Sequence, residues 1–211
     1  MGREILKVLD YLKDCFFEII FPAPCKCIVC DENEEEGLCF TCRKTIKECT
    51  EEDCYGYYKG ALKELIFLFK FNKDFLAGEI LIDLIKDKLK GTESDYILTY
   101  IPIGKASLKK RGFNQCEYIA KGLSKIHGLK CIPTLKKVKE TKVQKELSKK
   151  ERKVNVKNSF GPIDKNLIKN NKFILIDDVV TTGATIEEGV KILKENGAKE
   201  IKLLTIARSR I

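Results

Sequence analysis

The 211-residue chain has no uninterrupted run of about 18 apolar residues, so length alone excludes a membrane-spanning helix. Its N-terminus also lacks the unbroken apolar region of a signal peptide. Ile5, Leu6, Leu9, Leu12, Phe16, Ile19 and Ile20 recur at helical spacing, but Asp10, Lys13, Asp14 and Glu18 interrupt them. Residues 1–21 are therefore expected to form an amphipathic helix, and its mixed-sign polar face favours packing on protein over a membrane surface. No internal repeat or low-complexity segment is present. No glycine is followed by Lys-Ser or Lys-Thr, which argues against a Walker-type ATPase. Histidine is limited to His127, expected to end a helix away from any site, so no general base is evident.

What is present in excess is cysteine and clustered positive charge. Seven of the ten cysteines fall between Cys25 and Cys54. With no signal peptide, a reducing cytoplasmic setting and thiolate–metal binding are expected in preference to disulfides. Cys27-x-x-Cys30 and Cys39-x-x-Cys42 form two knuckles separated by Asp31 to Leu38, and four thiolates at that spacing can close a tetrahedral structural Zn²⁺ site. A four-sulfur iron cluster is the chemical alternative. Cys25, Cys49 and Cys54 leave the ligand set open, with Cys25 out of register and Cys49 and Cys54 resembling a degenerate second knuckle. Cys15, Cys116 and Cys131 are isolated and read as small core hydrophobes.

The formal charge is +9, yet residues 105–157 alone hold 17 Lys and Arg against four Glu, a net of +13. Such a patch fits a pyrophosphate-bearing sugar or a nucleic acid backbone, and it is also compatible with a merely solvated lysine-rich face. Lys149, Lys150 and Arg152 are the candidate nucleic-acid contacts, with Phe113, Tyr118 and Phe160 as scattered aromatics.

Apolar residues make up 44% of the chain, enough for one α/β domain with a small appendage. The expected organisation is a helix over 1–21, a four-cysteine module over 22–54 and an α/β domain over 55–211. In that domain Tyr55–Tyr58 suits a short strand, Leu62–Phe71 and Leu76–Leu89 suit helices, and Tyr96–Ile103 suits a strand. A helix follows from Asn114 to Ile126, then a strand near Phe160, a strand-loop-helix from Phe173, and a closing strand Ile201–Ile206. Alternating strands and helices imply a mostly parallel sheet with helices on both faces.

The strand-loop-helix is the most informative stretch. Phe173 to Ile176 reads as a buried parallel strand with Asp177 and Asp178 at its carboxyl end, where open α/β sheets bind ligands. Two adjacent carboxylates suit the vicinal hydroxyls of a ribose. Thr181-Thr182-Gly183-Ala184-Thr185 then leads into a helix whose N-terminus favours a phosphate, with Gly183 allowing close backbone approach. Across the same sheet edge, Gly104 and Gly112 bracket a basic segment expected to be a mobile loop that closes over a diphosphate. Lys105 and Arg111 are its candidate catalytic residues, one a compact charge and the other a planar fork. Asn114 has two readings, a ligand contact or an N-cap.

The string from Asp177 to Thr185 resembles the phosphoribosyl-diphosphate (PRPP) motif of type I phosphoribosyltransferases. By that resemblance Asp177 and Asp178 hold the ribose hydroxyls, and Thr181, Thr182, Gly183, Ala184 and Thr185 the 5′-phosphate. Arg111-Gly-Phe-Asn-Gln115, Gln144-x-x-Leu147-Ser148, Arg152-x-x-Asn155-Val156, Ile66-x-x-Phe69-Lys70-Phe71 and the cysteine pairs after Phe21-Pro22 further resemble the ComF family. The resemblance implies a type I phosphoribosyltransferase fold, PRPP with Mg²⁺, and a zinc module. It also implies a role in natural competence, with single-stranded DNA in the cytoplasm and protein partners in the competence machinery. The alternative is an active phosphoribosyltransferase of nucleotide salvage that releases pyrophosphate. A third reading, a purely structural zinc adaptor, would not need the paired acids.

Overall fold

A computed structural model describes residues 26–32, 37–139 and 156–209. The expected helix over 1–21, Cys15, Cys25 and the basic residues Lys149, Lys150 and Arg152 lie outside the described residues. The chain divides into two compact units, residues 1–43 and 44–211. No helix among the described residues is long and apolar enough to cross a membrane.

In the first unit Cys27 to Cys30 form a tight turn, closed by the Asp31 N–H donating to the Cys27 carbonyl at 2.8 Å. The Ile28 N–H reaches the Gly37 carbonyl at 2.9 Å, which brings the second knuckle beside the first. Cys39 sits just before the short helix α1 (Phe40–Lys44). Its sulfur accepts the Cys42 N–H at 3.4 Å.

The second unit carries a five-stranded, all-parallel sheet. Its strands are β1 (Cys54–Tyr57), β2 (Tyr96–Tyr100), β3 (Lys130–Cys131), β6 (Lys172–Val180) and β7 (Glu200–Arg208), in the order β1-β7-β6-β2-β3. β4 (Leu135–Lys137) and β5 (Phe160–Pro162) form a separate antiparallel pair. The helices are α2 (Gly60–Phe67), which runs on into a π turn over Leu68–Asn72, then α3 (Phe75–Ile85), α4 (Lys105–Arg111), α5 (Gln115–His127) and α6 (Ala184–Glu195).

The apolar run Phe173–Ile176 is buried on both faces, as a central parallel strand must be. Phe173 and Leu175 pack with Ile186 and Leu193 of α6. Gly189 brings α6 close to that layer, since a Cβ there would stand 3.1 Å from Leu175. Successive strand residues face opposite ways, so Ile174 and Ile176 serve the other face, where α5 packs on the sheet and against α3. The mostly parallel sheet with helices on both faces is the architecture the alternation of elements predicts.

Two elements differ from expectation. β6 does not stop at Ile176 but runs to Val180, pairing with β7 through Asp177↔Thr205 and Val179↔Ala207. β2 ends opposite Ile176, so the two acids lie in a strand whose other neighbour has already finished. The segment between Gly104 and Gly112 is a helix, α4, and not a loop. None of its residues is buried, so it lacks the apolar periodicity that would announce it. Gly112, at φ 84° in the left-handed region, ends it by donating its N–H to the Leu108 carbonyl at 2.7 Å.

Candidate functional site

The carboxyl edge of the sheet opens into a cleft of about 750 Å³ whose lining includes Lys70, Arg111, Asp177, Asp178, Thr181 and Thr185. Its floor is the extended end of β6. Where β2 stops, the Ile101 N–H makes one last ladder bond to the Ile176 carbonyl at 3.0 Å, and the chain then turns away toward Gly104. The following acids are therefore free of a strand neighbour on that side.

Asp177 and Asp178 are each only 7% exposed. Asp177 Oδ1 accepts the Asp178 N–H at 2.9 Å, and the Cys116 thiol lies 3.6 Å from the same oxygen as donor. Asp178 Oδ1 accepts the Val179 N–H at 2.7 Å. Lys70 Nζ stands 2.6 Å from Asp178 Oδ2. This buried ion pair meets the charge on Oδ2 and leaves that carboxylate oxygen further acceptor capacity. That oxygen can still accept a hydrogen bond from a ligand hydroxyl.

The two carboxyls are driven apart electrostatically. Burial, followed by the neighbouring Asp178 charge, pushes Asp177 up to about 7. Burial works against the Asp178 carboxylate as well, but the Lys70 ammonium outweighs it, and Asp178 is held below the usual carboxylate range. Burial disfavours charge on Lys70, and Asp178 more than compensates, so Lys70 stays a cation. Two adjacent carboxyls with separated affinities for protons, facing a cleft, form a common arrangement at functional sites. Burial, then the two acids, hold the Cys116 thiol neutral and able to donate.

Beyond Val180 the chain turns into α6. Gly183 takes φ 79° in the left-handed region, where a side chain would be strained and would meet the Glu187 carboxylate at 3.1 Å. A small hollow lined by Asp177 and residues 179–186 adjoins the main cleft. That lining includes Ala184, Thr185 and Ile186 of the first turn of α6, and a helix N-terminus is a favourable setting for a phosphate.

Of the two basic candidates, Arg111 lines the cleft, hydrogen-bonds Gln115 Oε1 and stands 5.5 Å over the Phe71 ring. Lys105 opens α4 outside that lining. Asn114 caps α5, its Oδ1 accepting the Cys116 N–H at 3.0 Å while its amide donates to the Ile101 carbonyl at 3.0 Å. It therefore ties the helix start to the strand end that frames the site. Phe113 and Tyr118 are not scattered, since both join a ring cluster with Phe69 and Phe75. His127 ends α5, with Nε2 2.9 Å from the Lys86 carbonyl.

Sequence reading missed Lys70 and Cys116 as parts of the site. Lys70 stands in the quoted Phe69-Lys70-Phe71 string, but its partner is more than a hundred residues away, and the π turn that aims it has no apolar periodicity of its own. Cys116 is buried as expected of a small core residue, and its contact with Asp177 depends on the capped start of α5.

In the first unit the sulfur atoms of Cys27, Cys30, Cys39 and Cys42 lie within 4.8 Å of one another, with Cys30 and Cys39 3.6 Å apart. Zinc–sulfur bonds of roughly 2.3 Å in a tetrahedron need sulfur separations of roughly 3.8 Å, so this donor set fits a structural Zn²⁺. Burial resists ionisation of Cys27, but several backbone N–H groups outweigh it and bring the thiol down to about 6. Cys49 and Cys54 belong to the second unit, where burial and the Cys54 thiol push Cys49 up to about 12.

Residues 108–211 match the phosphoribosyl transferase domain. The chain is 29% identical to competence protein F of Haemophilus influenzae, over 87% of this chain and 97% of that one. It is 30% identical to competence protein ComFC of Streptococcus pneumoniae, over 87% of this chain and 88% of the relative. DNA utilization protein YhgH of Salmonella typhi is 32% identical over 72% of this chain and 69% of its own length. Together with a parallel sheet ending in paired acids and a four-cysteine cluster, this similarity along most of its length shows that the chain belongs to the ComF family of phosphoribosyltransferase-like proteins.

Proposed function

We propose that this chain recognises PRPP with Mg²⁺ in its cleft and serves natural competence, handling single-stranded DNA in the cytoplasm. The observation that carries the PRPP reading is the pair Asp177–Asp178 at the free end of β6, one acid fixed as a carboxylate by Lys70, directly before the Gly183 turn. Asp178 Oδ2 and Asp177 accept the ribose hydroxyls, and Thr181 to Thr185 with the α6 N-terminus hold the 5′-phosphate. Arg111 faces the diphosphate, with Lys105 a second cation on the same helix. Bound together with PRPP, Mg²⁺ would supply positive charge against the diphosphate. Positioning and charge neutralisation of this kind would also support transfer of the phosphoribosyl group, because that transition state is oxocarbenium-like and needs little covalent help.

The competence role rests on the functions named for the two competence relatives and the DNA utilization relative. The DNA reading rests on the net +13 of residues 105–157. The zinc module, with Cys27, Cys30, Cys39 and Cys42 as ligands, supplies fold stability to a segment too short to build a sufficient core unaided.

A thermal-shift titration tests the PRPP reading, because a ligand that binds only the folded state raises the melting temperature with concentration. PRPP with Mg²⁺ is expected to do so, and ribose 5-phosphate to do so less. No shift with either would reject it. Pyrophosphate release in the presence of a panel of bases would add catalysis to recognition.

A further inference from the structure

A closed cycle of hydrogen bonds joins the ends of β2 and β6 and passes through Asp177. The Ile101 N–H donates to the Ile176 carbonyl, and the Ile101 carbonyl accepts from the Asn114 amide, both at 3.0 Å. Asn114 Oδ1 in turn accepts the Cys116 N–H at 3.0 Å, which fixes the first turn of α5 beside the strand ends. From there the Cys116 thiol reaches Asp177 Oδ1 at 3.6 Å, on the residue that follows Ile176. Cys116 is 1% exposed and Asn114 is buried, so the links are made out of reach of bulk water, where such bonds are stronger.

Asp177 Oδ1 therefore has two donors, the Asp178 N–H at 2.9 Å and the Cys116 S–H. A carboxylate oxygen offers about two lone-pair directions, so Oδ1 is filled and Oδ2 is the oxygen with capacity to spare. The N–H comes from the adjacent residue and by itself leaves the carboxyl plane loosely held, because the last torsion of an aspartate lies in a broad well. A second donor from another element removes that freedom. We infer that Cys116 is a positioning residue: its thiol fixes the Asp177 carboxyl so that Oδ2 is the oxygen presented to a ribose hydroxyl. Cys116 lies outside the lining of the cleft, so it acts on a ligand only through Asp177. Burial and the two acids keep the thiol neutral, and it adds no charge beside the pair. The charged groups around Asp177 are the Asp178 carboxylate, the Lys70 ammonium held on Asp178, and Arg111 acting on Asp178 from α4; Thr205, its register partner on β7, is uncharged. The inference deepens the PRPP reading and rests on it for the identity of the ligand.

Calorimetry of PRPP with Mg²⁺ between pH 6 and pH 8 tests it in wild type, Cys116→Ala and Cys116→Ser. Cys116→Ala removes the donor and is expected to weaken binding by roughly 2- to 10-fold at pH 7, the range for one hydrogen bond. Because the lost bond favours the ionised carboxyl, the fall in affinity on acidification begins at a higher pH in that variant. Cys116→Ser keeps a donor of similar shape and recovers most of the affinity together with the wild-type pH profile. A wild-type profile in Cys116→Ala, or a serine variant as weak as the alanine one in folded protein, overturns the inference. The S–H stretching band gives a second readout that needs no ligand. The infrared band lost in Cys116→Ala is expected at lower wavenumber than that of an unbonded thiol, and to move up at pH 8 in Asp177→Asn, where the acceptor carries no charge. A Cys116 band at the unbonded position overturns the brace whatever PRPP does. A displaced band in a wild type that binds no PRPP keeps the brace and overturns the ribose reading that gives it a use.

Discussion

Replacing Asp177 by Asn should make the ligand-free protein more stable, and more so as pH rises. In the fold, burial and the Asp178 charge raise Asp177 to about 7, against roughly 3.9 in an unfolded chain. A raised folded pKa means that the favourable contribution is complete below the unfolded value and disappears as pH climbs through about 7. Each unit is worth about 1.36 kcal/mol, so Asp177 costs up to about 4 kcal/mol at pH 8, where it is ionised in the fold, and about 1 kcal/mol at pH 5, where the fold must keep it protonated. Asn keeps the shape and an oxygen for the Asp178 N–H but carries no charge. The stability difference between variant and wild type should therefore grow by about 3 kcal/mol between pH 5 and pH 8. Urea unfolding at the two pH values reads that difference, and groups common to both proteins cancel. A variant less stable than wild type at pH 8, or a difference that does not change with pH, would refute the electrostatic description of the pair.

The partner of that acid gives the opposite expectation. Lys70→Met leaves the Asp178 carboxylate buried without its cation and should cost about 3–5 kcal/mol, most of it recovered in the double variant Lys70→Met with Asp178→Asn. Because Asp177 is protonated below about 7, and ribose hydroxyls donate best to a carboxylate, PRPP affinity should fall as pH drops from 8 to 6; an unchanged affinity would argue that Asp177 does not accept from the ligand. Metal analysis should find about one equivalent of zinc per chain, lost in Cys39→Ser, and none would reject the cysteine site. Single-stranded DNA affinity should fall steeply with salt, and neutralising Lys149, Lys150 and Arg152 should flatten the slope by about 2.

How much of this was legible beforehand follows from how local each signal is. The segment from Phe173 to Thr185 carries its strand, acids and turn in thirteen consecutive residues, so its place at the sheet edge could be read directly. The cysteine knuckles are equally local. Strand β6 was expected to stop at Ile176, since charged residues seldom stay buried. It continues because β7 pairs with it to Arg208 and Lys70 offsets the Asp178 charge. That offset depends on a partner from a distant helix, which no spacing rule reveals. Helix α4 escaped for a different reason. Leu108 is its only large apolar residue, and that side chain is 45% exposed, so no periodicity marks the helix.

Calorimetry of PRPP binding with Mg²⁺, comparing wild type with the combined Asp177→Asn and Asp178→Asn variant, addresses the ribose site most directly. Saturable binding to wild type, with affinity lost in a variant that still folds, is the expected result. Equal affinity in both proteins would contradict the placement of the sugar on these two acids.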